Sequence, residues 1–73
     1  MSAKEMFEDI DYIQDENLSS DRYGPKFLIY RKKNNKYHSI MFDLQYKEII
    51  ADIISFKVIP AISKQIEELG WNK

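Results

Sequence analysis

The chain has 73 residues, a formal net charge of −1, no cysteine and one histidine. That length makes one domain, 1–73, near the lower limit for a self-sufficient hydrophobic core. Disulfides and thiolate zinc sites are excluded, a lone histidine argues against a histidine-built metal site, and oligomerisation is the remaining device by which so small a scaffold gains stability.

The composition is 44% hydrophobic, as expected of a folded domain. No apolar run approaches the roughly 18 residues of a membrane helix. The amino terminus is acidic and lacks the apolar core of a secretory signal. These features predict a cytoplasmic protein with no membrane association, no metal and no cofactor.

Charge is unevenly placed. Residues 1–21 carry seven acids and one base, whereas residues 22–38 carry six bases and no acid. Such asymmetry marks either a binding face or two halves of one fold attracting each other. A net-acidic chain is a poor general binder of nucleic acid, which favours the second reading.

Ser2 followed by Glu5 matches a capping box. Met6, Phe7 and Ile10 then share one helical face, predicting a first helix over 3–10. Residues 11–25 are polar and predict a loop, pinned to the core by Tyr12 and Ile13 and ended by Gly24-Pro25.

Two strands are predicted next, Phe27 to Lys33 and Tyr37 to Leu44, joined by an Asn34-Asn35 turn. That turn sets a register. Ile29 faces Ile40, Phe27 faces Phe42, Arg31 faces His38 and Lys33 faces Lys36. On the other face Tyr30 meets Ser39, Leu28 meets Met41, Lys32 meets Tyr37 and Lys26 meets Asp43.

A second turn near Gln45-Tyr46 leads into an isoleucine-rich third strand, Glu48 to Ile54, with Phe42 facing Ile49 and Ile40 facing Ala51. From Val58 to Leu69 the period becomes helical, with Ile59, Ile62, Ile66 and Leu69 as the core face. Pro60 falls in the first turn, where its missing N–H costs little, and Ser55 or a neighbour caps it. Gly70 is the residue type that closes a helix in the left-handed conformation, and Trp71 folds back on Ile66.

The predicted fold is α+β: a two-layer α-β-β-β-α arrangement. A three-stranded antiparallel meander carries two terminal helices on the face formed by Phe27, Ile29, Ile40, Phe42, Ile49 and Ile53.

Three segments carry a resemblance. Residues 2–10 (SAKEMFEDI), 61–71 (AISKQIEELGW) and the central Phe42-Asp43-Leu44 resemble small uncharacterised proteins of phages and prophages of low-GC Gram-positive bacteria. The likeness covers about 23 residues of the chain. It implies a phage-associated origin and supplies no activity and no catalytic residues.

Little catalytic chemistry is suggested. His38 has neither an orienting partner nor a suggested pocket, and reads as a structural histidine at the sheet end. Asp9, Asp11, Asp15 and Glu16 lack the spacing and mid-loop glycine of a calcium loop. Two surfaces remain as candidates. The sheet face with Leu28, Tyr30, Tyr37, Met41, Ile50 and Ile54 forms an apolar patch if no helix covers it, and such patches mark protein interfaces. The basic hairpin, with Arg31, Lys32, Lys33 and Lys36 flanked by tyrosines, could contact phosphates and stack on bases, or merely block edge pairing. The leading expectation is a non-enzymatic prophage accessory protein that works through protein contact, with itself as a homodimer or with another protein. The alternative is a nucleic-acid-binding module.

Overall fold

Ser2 starts the first helix as expected. Its Oγ accepts from the Glu5 N–H at 3.2 Å while its own N–H donates to Glu5 Oε1 at 3.0 Å. The computed structural model describes residues 1–15, 20–21, 24–25 and 27–72, with backbone alone for 20, 21, 24, 25 and 36. Helix α1 spans Ala3–Asp9 and buries Ala3 and Phe7. Asp11 then takes a left-handed conformation, φ 68°, which an aspartate tolerates better than most residues.

The predicted loop over 11–25 contains strands. Tyr12–Gln14 forms β1, which pairs antiparallel with β4, Phe27–Lys32. Ser20–Asp21 (β2) and Gly24–Pro25 (β3) pair with each other in a separate small ribbon. Strands β5 (Asn35–Asp43) and β6 (Glu48–Ala51) complete a four-stranded sheet in the order β1-β4-β5-β6. The α+β class and the meander stand, with β1 added at one edge. The third strand of the meander stops at Ala51 rather than running to Ile54.

The β5–β6 register is the predicted one, with Ile40 opposite Ala51 and Phe42 opposite Ile49. Asp43 sets it by accepting the N–H groups of Gln45 and Tyr46 at 3.0 and 3.1 Å. Lys47, φ 57°, supplies the left-handed residue that returns the chain.

The β4–β5 register differs by one residue. Leu28 faces Phe42, Ile29 faces Met41, Tyr30 faces Ile40, Arg31 faces Ser39 and Phe27 faces Asp43. The predicted Lys26–Asp43 partner lies outside the described residues. The turn is Lys33-Asn34, with Lys32 opposite Asn35. Neither turn residue has positive φ, so this is not the primed turn whose twist matches a regular hairpin. The mismatch is taken up in β5, where residues 36–38 are accommodated between the partners of two adjacent β4 residues. Asn35 Oδ1 accepts the Tyr37 N–H at 3.1 Å and bends the chain into this excursion.

A shift of one residue exchanges the faces of β4. Positions 27–30 are all apolar, so alternation alone does not choose between Phe27 with Ile29 and Leu28 with Tyr30. Partners above the sheet choose. Tyr30 stacks on Phe7 with ring centroids 3.9 Å apart, and both rings meet Phe42 edge-on. The Tyr30 hydroxyl donates to Gln65 Oε1 at 2.7 Å in the buried interior. Phe27 and Ile29 consequently lie on the outer face.

Ser55 caps a single 3-10 turn, Phe56–Val58, which feeds α2, Ile59–Leu69. The buried stripe of this segment is Val58, Ala61 and Gln65, with Ile62, Ile66 and Leu69 partly covered. The predicted core residue Ile59 is exposed, because the helix turns Gln65 toward Tyr30. Gly70 closes α2 at φ 75°, and the Trp71 N–H donates to the Ile66 carbonyl at 3.1 Å. The Trp71 ring reaches past the last turn to Phe42, at 6.1 Å. Both helices cover one sheet face and pack against each other, where Glu68 Oε2 accepts the free Ala3 N–H at 2.8 Å.

Candidate interaction site

With the helices on the Tyr30 face, the six predicted interface residues separate. Tyr30 is 1% exposed at the centre of the core, and Leu28 packs against the same cluster. Both therefore leave the surface, for the reason that exchanged the faces of β4. Met41 and Ile50 are directly opposite each other on the outer face, next to buried Ile29. Tyr37 stands 67% exposed in the β5 excursion, and Ile54 lies exposed beyond the end of β6.

What replaces the predicted patch is a continuous stretch. Ile49, Ile50, Ile53, Ile54, Phe56 and Ile59 are all exposed, from 36% for Ile49 to 77% for Phe56. They occupy β6 and the segment leading from it into α2. Strand β6 is a sheet edge, so backbone groups on its outer side have no strand partner among the described residues. An open ladder at Glu48–Ala51 is thus followed directly by large exposed apolar side chains, the six lying within residues 49–59.

The sequence held a signal for this. In a strand, neighbours point to opposite faces. The doublets Ile49-Ile50 and Ile53-Ile54 cannot both be buried by one helix layer. Ile49 was expected under the helices and is only partly covered there, while Ile53, expected to continue that face, is exposed because β6 has already ended.

The basic hairpin is less open than its composition suggests. Arg31 Nε bonds Asp15 Oδ2 at 3.0 Å, an ion pair between the basic hairpin and the acidic amino-terminal third. Lys32 is half-buried opposite Tyr12, and Lys33 is exposed at the turn with its N–H on the Asp11 carbonyl at 2.9 Å. The Lys36 side chain lies outside the described residues. His38 is half-buried in the excursion rather than opposite Arg31, and its Nδ1 has no hydrogen-bond partner among the described residues.

No group of three or more His, Cys, Asp or Glu side chains among the described residues is arranged to hold a metal. No helix among them is long and apolar enough to cross a membrane. The fold and surface define a small α+β domain with one apolar sheet edge. No family model, curated protein or solved structure matches the chain.

Proposed function

We propose that the protein is a non-enzymatic accessory protein that works by holding another polypeptide at its β6 edge. The observation that carries this reading is the set of six exposed large apolar residues between Ile49 and Ile59, beginning on the sheet-edge strand β6. Solvated large apolar groups are tolerated singly, but grouped with unpaired strand amides they are the features that protein partners cover. The terminal resemblance to small phage and prophage proteins is compatible with such a role and names no partner.

A photo-crosslinking residue in place of Phe56 tests this in cells. It is expected to give covalent adducts with protein, while the same probe at Lys64, on the wet side of α2, gives none. Absence of protein adducts at position 56 overturns the reading.

A second reading, nucleic-acid contact through the hairpin, is favoured by the exposure of Tyr37 in the same hairpin as exposed Lys33. It requires binding to single-stranded DNA or RNA that weakens with salt and is lost in Lys33→Glu. The Arg31–Asp15 pair and the net charge of −1 weigh against it.

A further inference from the structure

We infer that the polypeptide held at the β6 edge is a second copy of this chain, paired antiparallel across a two-fold axis at Ile49. The inference rests on the reading of that edge as a contact surface and names its occupant.

Area is the first argument. Six large apolar residues between 36% and 77% exposed present on the order of 500 Å² per chain, at about 150 to 200 Å² for a fully exposed side chain. Doubled by symmetry, this gives about 1,000 Å² of apolar surface. Interfaces are roughly 60% apolar. The total implied is then close to the ~1,600 Å² of a stable protein–protein interface. A single extended peptide on the edge would leave much of the Phe56 and Ile59 surface wet, whereas a second copy brings a folded body, with its own β5–β6 turn, toward that segment.

Symmetry and charge select the register. Two identical edge strands can pair antiparallel beside each other only about a two-fold normal to the sheet. That operation keeps each face on its own side, so both helix layers stay together and each residue pairs with one of its own face. Centring the axis on Ile50 would set Glu48 opposite Asp52 of the second copy, a like-charge pair. Centring it on Ile49 sets Glu48 opposite Ile50, with no acid facing an acid. Ile49 lies next to Phe42 on the helix-covered face, so its self-contact extends the core across the seam. The product is one eight-stranded sheet under four helices, and an isologous pairing of this kind closes without forming filaments.

The chain lacks cysteine, so single cysteines report the geometry cleanly. Directly opposed antiparallel residues have Cα atoms about 4.5 to 5.5 Å apart, within disulfide reach. Under mild oxidation Ile49→Cys is expected to give a disulfide dimer at least tenfold faster than Ile13→Cys on the β1 edge. Light scattering of the unmodified protein should give twice the 8.8 kDa chain mass, surviving high salt. Ile50→Glu, at a half-exposed position outside the core cluster and facing Glu48 of the second copy in this register, should return the mass to that of one chain without loss of fold. A chain that stays monomeric at millimolar concentration, or Ile13→Cys cross-linking as fast as Ile49→Cys, overturns the inference. If in addition the probe at Phe56 captures only a different protein, the second copy is refuted while the contact reading survives.

Discussion

Two buried tyrosine hydroxyls stand in opposite circumstances. Tyr30 donates to Gln65, whereas the Tyr12 hydroxyl is buried with no partner among the described residues. Removing a hydroxyl that has a partner strands the acceptor, at about 1 to 3 kcal/mol. Removing one without a partner relieves a desolvated group. Tyr30→Phe should therefore destabilise by about 1 to 3 kcal/mol in urea titration, and adding Gln65→Leu should recover part of that. Tyr12→Phe should be neutral or stabilising by up to about 1 kcal/mol. Burial, aided by the negative charges of Glu68 and Glu8, pushes the Tyr30 hydroxyl up to about 12 from its ordinary 10.0. The neutral phenol is thus favoured by folding. Its contribution is fully present below pH 10 and is lost as pH rises through 12. Stability should fall by about 2 to 3 kcal/mol across that window, and Tyr30→Phe should flatten the decline.

At the level of elements, what was legible in the sequence was what neighbours in the chain decide. The capping box at Ser2 and the glycine closure at Gly70 need only residues within one turn. The β5–β6 register followed from a turn tied by Asp43. The β4–β5 register did not, because two asparagines permit a primed turn without requiring it, and four successive apolar residues leave the inner face undecided. That choice was made by Phe7 and Gln65, far away in sequence. Strand β1 was hidden for a similar reason: three residues with one polar among them carry no period, and only pairing with β4 extends them. The candidate surface was partly legible, since Ile50 and Ile54 were named, while Ile59 was placed in the core and Phe56 was assigned to no element. Helix α1 shows how far such elements depend on others. Seven residues are too few to hold a helix in isolation. Glu68→Ala removes the carboxylate that accepts the Ala3 N–H, and about 1 kcal/mol of stability should go with it. Amide exchange should quicken in α1 before α2.

For the whole molecule, size sets the terms. A chain of this length buries only about 60% of its unfolded surface, which leaves a thin margin. If β6 pairs with its copy, folding and association are linked, and the melting temperature should rise with protein concentration. Over a hundredfold dilution it should drop by several degrees in the unmodified chain and hold constant in Ile50→Glu. The two sheet edges differ in this respect: β1 is three residues long, while β6 continues into an exposed apolar segment. One last feature concerns the length of the chain itself. In the β4–β5 ladder Lys32 faces Asn35 and Arg31 faces Ser39, so excising residues 36–38 would join two positions already opposite adjacent β4 residues. The trimmed protein should fold with every other pairing unchanged, shed the buried His38 nitrogen, and keep its amide spectrum outside the hairpin. The same spot is then an insertion point, where a foreign peptide or label can be grafted at the end of the sheet while the core and the β6 edge keep their present form.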